Sequence, residues 1–307
     1  MKTVSVVVPV YYNAESLAPL LEEILMVESQ LREKGINFEL ILVDDGSGDH
    51  SFAEMLKIKE QRPQTRLIKL ARNFGAVKAS KTGLRFVTGD CFMWIAADLQ
   101  DPPAIILEMV DHWLSGAKFV IARRAEREDP FVAKIFSGIY YWLLRRLVVA
   151  RYPEGGFDLA LLDSVALPHM RDSSKNVNTP LLAYWLGFKP VVLSYHRRKR
   201  RFGRSRWTFT KRLGFLLDSL LGFSVIPIRL ISLIGFIVAL LSACYGTSVI
   251  VAALAGVRDV EGFPTLVALI TFLLGLIIIM LGVIGEYLWR IFEEVNKRPD
   301  VVIDEIH

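Results

Sequence analysis

Two long stretches of this sequence, Leu230 to Val257 and Gly262 to Gly285, contain no Asp, Glu, Lys or Arg. Each exceeds the roughly 20 residues that carry a helix across the hydrocarbon core of a bilayer. Only Arg258, Asp259, Val260 and Glu261 lie between them, so the pair reads as a helical hairpin with a short polar turn. The alternative, two helices buried in a soluble core, is disfavoured because such helices are seldom this long without a charge. Arg229 precedes the first run, and Arg290, Lys297 and Arg298 follow the second, whereas the turn sets one Arg against two acids. Positive-inside bias therefore predicts an integral protein of the inner (plasma) membrane with two spans and both flanks in the cytoplasm. Met1 to Val10 holds a lone Lys2 and a Pro in place of the charged and apolar regions of a secretory signal, so the part ahead of the hairpin is expected to be cytoplasmic.

Before residue 225 the charges are scattered, and the pattern changes to that of a globular α/β domain. Residues 4 to 8 (VSVVV), 38 to 43 (FELILV) and 91 to 97 (CFMWIAA) are short apolar runs that end in polar turns, as buried parallel strands do. Leu17, Leu20, Leu21, Ile24 and Leu25 recur at helical spacing between the first two, with Asn13 as the expected cap. A second helix over Ser51 to Arg62 leads to the strand-like Arg66 to Leu70, which predicts an open, doubly wound sheet. Cys91 and Cys244 are the only cysteines, too few for a disulfide framework or a zinc site, and are read as small apolar packing residues.

In such sheets ligands bind beyond the carboxyl ends of the strands. The residues just past those ends are polar and acidic here: Tyr11, Tyr12, Asn13 and Glu15, then Asp44, Asp45, Gly46 and Ser47, then Asp98, Gln100 and Asp101. Any one cluster is explained by ordinary turn formers. Three together point to carboxylates aimed into one crevice. A Gly-x-Gly-x-x-Gly fingerprint after the first strand and a Gly-x-x-x-x-Gly-Lys loop are both missing, which argues against a dinucleotide dehydrogenase or a P-loop NTPase.

Taken in order, Val8-Pro9-Val10-Tyr11-Tyr12-Asn13-Ala14-Glu15, Val43-Asp44-Asp45-Gly46-Ser47, Arg72-Asn73-Phe74-Gly75 and Ala97-Asp98-Leu99-Gln100-Asp101-Pro102-Pro103 resemble the inverting family 2 glycosyltransferases. More narrowly, they are similar to polyisoprenyl-phosphate glycosyltransferases, over roughly the first 210 residues. The resemblance implies a GT-A, Rossmann-like fold in which Pro9, Tyr11 and Glu15 line the base pocket, Asp44, Asp45 and Arg72 belong to the nucleotide-sugar site, and Asp45 hydrogen-bonds base or ribose. It also implies that Asp98 and Gln100 hold Mg²⁺ or Mn²⁺ on the donor diphosphate. Many relatives have Asp-x-Asp where this chain has Ala96-Ala97-Asp98, so metal affinity without donor is expected to be weak. Further on, Arg123 matches an arginine near the donor phosphates, while Lys134 and Ser137 match a basic residue and a serine near the acceptor phosphate. Asp158, in Gly155-Gly156-Phe157-Asp158-Leu159, stands where relatives often carry a basic residue and is kept as a catalytic candidate with its role open.

From His196 to Arg212 the chain carries nine cations and no acid. Attraction to anionic lipid accounts for some of them, at about 1 kcal/mol per charge near the surface. Within the run, Arg200-x-x-Gly203-x-Ser205-Arg206-Trp207 resembles a family loop, which implies phosphate capture by Arg200, Ser205 and Arg206, whereas Arg197 lies outside the match and is expected only to meet the bilayer surface. A nucleic-acid groove is the other use of such a run, and the adjacent apolar spans argue against it. Phe131 to Ala150, broken by Lys134, Arg145 and Arg146, and Trp207 to Val225 read as interfacial helices, with burial in the soluble domain as the alternative for each.

The expected organisation is thus a cytoplasmic GT-A domain over 1–210 with an interfacial helix near 131–150, a juxtamembrane helix at 211–229, a transmembrane hairpin at 230–290 and a cytoplasmic tail at 291–307. The implied reaction moves a sugar, glucose from UDP-glucose by branch resemblance, to undecaprenyl or another polyisoprenyl phosphate. Such a phosphate monoester is already ionised near neutral pH and needs little help from a general base. A processive polysaccharide synthase is disfavoured because Arg206-Trp207 lacks the Gln of a Gln-x-x-Arg-Trp motif. A non-catalytic nucleotide-sugar-binding regulator or flippase subunit is disfavoured by Asp98, Gln100 and the Arg200 loop. Self-association into a homo-oligomer is left open.

Overall fold

The structure is a computed structural model that describes residues 1–307 except 126–130, 176, 203–208, 256–261 and 297. It divides into two units, Met1–Ser219 with Pro299–His307, and Leu220–Arg298. The first unit is built on one eight-stranded sheet: β1 (Lys2–Val10), β2 (Ile36–Asp44), β3 (Arg66–Leu70), β4 (Cys91–Trp94), β5 (Phe119–Arg124), β6 (Leu159–Asp163), β7 (Val191–Tyr195) and β8 (Ile303–Ile306), in the order β7-β5-β6-β4-β1-β2-β3-β8. Helices α1 (Ala14–Glu33), α2 (Ser51–Gln61), α3 (Ala76–Leu84) and α4 (Ile105–Leu114) alternate with the first strands. After them come α5 (Phe131–Leu147), α6 (Leu167–Arg171), α7 (Thr179–Trp185) and α8 (Phe209–Phe223).

The strands and helices read from the apolar runs are present; the three strands read as parallel are parallel, and the whole sheet is mixed. β1 pairs in parallel with β2 and β4, and β2 with β3, whereas β6 runs antiparallel to both β4 and β5. β1 is central and its valines are buried on both faces: Val4, Val6, Val8 and Val10 join the cluster with α1 residues Leu17, Leu20 and Ile24, and Val7 faces α3. Asn13 precedes α1 as expected, but its side chain does not cap the helix. Its Oδ1 accepts the Tyr11 N–H at 3.0 Å, while Ser16 Oγ returns to the Asn13 carbonyl.

The tail beyond the apolar hairpin returns to the sheet, which no sequence pattern announced. β8 runs antiparallel to β3, with Ile306 opposite Ile68 and Ile303 opposite Leu70. Lys81 on α3, only 5% exposed, donates to the Ser173 and Ser174 carbonyls and lies 3.7 Å from Asp300.

The second unit holds α9 (Ile226–Leu254) and α10 (Phe263–Val295), which contain apolar segments of 23 and 27 residues that are long enough to cross a membrane. Their apolar windows are unburied, unlike the helices of a soluble core. Phe236, Phe272 and Ile278 are all more than 60% exposed. Cys91 is buried as expected of a packing residue, but Cys244 is exposed on α9.

A buried ion pair braces the β2–β3 side. Arg62 donates to both Glu28 oxygens, at 2.8 and 3.0 Å, and to the Phe38 carbonyl at 2.6 Å and Thr65 Oγ1 at 3.1 Å. Arg62→Met strands the Glu28 carboxylate and is expected to cost about 3–5 kcal/mol, part of which the Glu28→Leu/Arg62→Met double variant recovers. Denaturation midpoints of the two variants in detergent check this, and equal losses would contradict it.

Candidate active site

The sheet order gathers the polar segments at one edge. β1, β2, β4, β5 and β7 all point their carboxyl ends the same way, and antiparallel β6 begins there. Tyr11, Asp44 and Asp45, Asp98 to Asp101, Arg124, Tyr195 and Asp158 therefore share one crevice rim, although they are up to 184 residues apart.

Asp98 is 8% exposed and follows β4. The next residue, Leu99, has φ +56°, a left-handed conformation unusual for a branched side chain and common at functional sites. This turn lets the Gln100 N–H reach Asp98 Oδ1 at 3.2 Å and sets the two side chains side by side. Arg200 then bridges them: its Nη2 lies 2.8 Å from Asp98 Oδ2 and donates to Gln100 Oε1 at 3.0 Å. Two side-chain oxygens converging on one cationic nitrogen suit a hard divalent cation that draws its remaining ligands from phosphate and water. No cluster of three or more His, Cys, Asp or Glu suited to a metal occurs among the described residues, so this pair cannot form a complete all-protein cage.

A second cluster adjoins it. Arg124 grips Asp158 through Nη2 at 2.6 Å and Nε at 3.1 Å, and Arg197 Nη1 lies 3.9 Å from the same carboxylate. Arg197 Nε sits 3.1 Å from Asp101 Oδ1 as an ion pair, without the alignment of a hydrogen bond. Tyr195 donates its hydroxyl to Asp101. Burial raises the Asp101 carboxyl above the ordinary range, and Arg197 opposes that shift. The Tyr195 phenol is pushed up by burial and by Asp101. The surface role expected for Arg197 is therefore corrected. It is 23% exposed and faces two acids from other elements. Arg198 likewise meets Glu23 at 2.5 Å.

On the other side of β1, Asp45 is 1% exposed and accepts the backbone N–H groups of Phe74 and Gly75 at 2.7 and 2.9 Å. It thus fixes the loop before α3. Burial raises the Asp45 carboxyl despite these bonds, and raises the Asp44 carboxyl despite the Ser47 contacts. Gly46 has φ +67°, and a Cβ there would fall 2.4 Å from the Arg72 carbonyl carbon, so only glycine allows the two loops to meet. Tyr11 and Asp45 help line a cavity of about 350 Å³ that also takes in Gly75, Lys78, Lys175 and Phe215. Its α8 wall is tied down by buried Asn178, which donates to Ser219 Oγ at 2.8 Å and contacts the Tyr140 hydroxyl at 3.4 Å.

Of the other residues named from sequence, Pro9 is half-buried within β1 and Glu15 is exposed at the start of α1. Arg72 is exposed, with its guanidinium over the Phe74 ring at 4.2 Å. Arg123 is exposed, and its neighbour Arg124 makes the ion pair with Asp158. Ser137 is half-buried on α5. Lys134, Ser205 and Arg206 lie outside the described residues or side chains. Sequence reasoning missed Arg124, Tyr195 and the inward role of Arg197, because the strand alternation that separates Arg123 from Arg124 does not say which face is which.

Comparison with known proteins shows what the chain is similar to. The pattern of glycosyl transferase family 2 matches residues 5–156. An uncharacterised glycosyltransferase of Synechocystis sp. is 31% identical over 98% of this chain and 95% of its own. An undecaprenyl-phosphate 4-deoxy-4-formamido-L-arabinose transferase of Photorhabdus laumondii is 32% identical over 100% of this chain and 94% of its own. A bactoprenol glucosyl transferase of Shigella phage SfII is 30% identical over 99% and 98% respectively.

The two adjacent arginines of β5 give a direct test. Arg124→Ala breaks a charge-assisted, largely buried pair and is expected to lower stability by roughly 1.5–3 kcal/mol. Arg123→Ala should stay within about 0.5 kcal/mol of the unaltered protein. Comparable losses in thermal or urea midpoints would mean that the two side chains share the crevice equally.

Proposed function

The chain belongs to glycosyl transferase family 2, and on that premise we propose that it moves glucose from UDP-glucose to the phosphate of a polyisoprenoid lipid, undecaprenyl phosphate in the first instance. The reaction takes place at the cytoplasmic face of the membrane, with inversion at the sugar. The observation that carries this reading is the rim of Asp98, Gln100, Arg200, Arg197 and Arg124 in a chain that continues into two helices long enough to span a bilayer. Relatives named for transfer to bactoprenol or undecaprenyl phosphate match nearly its whole length, hairpin included.

The chemistry is one displacement. A phosphate oxygen of the lipid forms the new bond to the anomeric carbon as the bond to the β-phosphate oxygen breaks, and the nucleoside diphosphate departs. A single in-line step inverts the configuration. The nucleophile is largely ionised near neutral pH, since the second pKa of a phosphate monoester is about 6. Asp158 and Asp101 are engaged with Arg124, Arg197 and Tyr195, so their role is to hold cations in place. Asp98 and Gln100 are the oxygens that would hold Mg²⁺ or Mn²⁺, which when bound neutralises charge on the leaving diphosphate. Tyr11 and the loop fixed by Asp45 line the side of the rim where the nucleoside would lie. Lys134, Ser137, Ser205 and Arg206 are assigned to the acceptor phosphate.

The hairpin leaves the first unit after Ser219 and rejoins it at Pro299. On this reading both flanks of the spans lie on one side of the bilayer. The basic flanks support the cytoplasm as that side.

Purified protein incubated with labelled UDP-glucose and undecaprenyl phosphate is expected to yield the glucosylated lipid phosphate, read by mass. Asp98→Asn, or excess chelator on the unaltered protein, should lower the rate by about 100-fold or more. Full activity under chelation would overturn the cation assignment, and donor binding with no lipid product would favour a regulator.

With Cys91 and Cys244 replaced by serine, a cysteine at Val260 should react with an impermeant thiol reagent from outside intact cells. One at Val302, which is 48% exposed, should react only after the membrane is opened. The reverse labelling would overturn the cytoplasmic active site.

A further inference from the structure

We propose that Arg200 is an intramolecular surrogate for the divalent cation: it occupies the cation's place between Asp98 and Gln100 in the donor-free protein and must withdraw before that place is filled. The proposal rests on the reading of Asp98 and Gln100 as the cation-holding pair and goes beyond it by assigning what competes for them.

The geometry carries it in three ways. One nitrogen of one side chain serves both oxygens, at 2.8 Å from Asp98 Oδ2 and 3.0 Å from Gln100 Oε1, so it lies where an ion held by both would lie. An ion held by these oxygens comes to roughly 2.0–2.2 Å, inside the space the guanidinium fills, and repels it as well. Occupancy is therefore exclusive. Second, the oxygens do not depend on Arg200 for their arrangement. The left-handed Leu99 and the Gln100 N–H bond to Asp98 Oδ1 set it from within the turn, so the pair survives the departure of the arginine.

Third, Arg200 is free to move only a short way. It comes after β7 in a segment without regular structure and its side chain is 32% exposed, whereas two residues earlier the Arg198 N–H is bonded to the Gln100 carbonyl at 2.8 Å. Withdrawal of the side chain thus leaves its charge within reach of the crevice. A cation arriving alone meets a carboxylate already neutralised. Arriving with a diphosphate, it brings a replacement anion for the guanidinium it displaces. The same arginine then changes partner from Asp98 to phosphate, which couples cation entry to nucleotide entry.

The test is direct Mn²⁺ binding to the full-length protein in detergent, read by the electron paramagnetic resonance signal of free Mn²⁺, with and without UDP. Without UDP, Arg200→Gln is expected to bind Mn²⁺ about 10-fold or more tightly than the unaltered protein, because the charge-assisted competitor is gone. Arg201→Gln removes the same charge from the exposed neighbouring residue and should change affinity by less than about 2-fold, as solvent screens it. The gap between Arg200→Gln and the unaltered protein should narrow when UDP is present. Equal gains in both variants, or none in Arg200→Gln, would overturn the surrogate role while leaving the cation site standing. A Mn²⁺ affinity untouched by Asp98→Asn, or no binding in any variant, would remove the cation reading itself and the proposal with it.

Discussion

The acids at the carboxyl edge of the sheet are kept in place by guanidinium groups that come from other elements. Asp98, Asp101 and Asp158 sit within a few residues of strand ends and are largely withdrawn from water, where an unpaired carboxylate is costly. Arg200, Arg197 and Arg124 meet them from the segment after β7 and from the end of β5. This pairing joins the two halves of the sheet at the rim. It also stores, within hydrogen-bonding reach, the positive charge that a diphosphate and a lipid phosphate would require. A crevice that is to hold two polyanions, as proposed, must not be stably saturated by its own acids. Partly exposed ion pairs meet that condition, since their strength is modest and their partners can exchange.

The backbone supports the same economy. Tyr12 and Leu99 are the two residues other than glycine with positive φ among the described residues, and both come after strands that end at the rim. Such conformations cost on the order of 1–3 kcal/mol each and persist where surrounding contacts over-determine them. Around Leu99 those contacts include the Gln100 N–H bond to Asp98 and the Arg198 N–H bond to the Gln100 carbonyl. Around Tyr12 they include the bond from its N–H to Ser47 Oγ at 3.1 Å, which ties the β1 loop to the β2 loop. Strained turns thus point side chains into the crevice and hydrogen bonds hold the turns.

The return of the tail places a limit on the hairpin. β8 completes the sheet beside β3, with Lys69 paired to Asp304 at 3.1 Å, and Lys81 holds Asp300 against the first unit. A chain that leaves a globular unit and re-enters it can cross a bilayer only an even number of times. The two helices long and apolar enough to cross, α9 and α10, are consistent with that rule.

The sequence by itself determined the elements whose pattern is local. Short apolar runs marked β1, β2 and β4, helical spacing marked α1, and the uncharged stretches marked α9 and α10, because apolar periodicity and length are properties of a continuous segment. Ordered motifs also identified the family and the residues at the strand ends. Pairing between distant segments is the part that the sequence could not carry. The antiparallel entry of β6, which brings Asp158 to the rim, and the addition of β8 depend on which edges are left open once the other strands have paired. The run from His196 to Arg212 contains no acid, yet Arg197, Arg198 and Arg200 pair with Asp101, Glu23 and Asp98, which lie about 100 residues or more away along the chain. Which of Arg123 and Arg124 turns inward was settled by the same cause. Strand alternation sets them on opposite faces, and only the packed sheet decides which face meets Asp158.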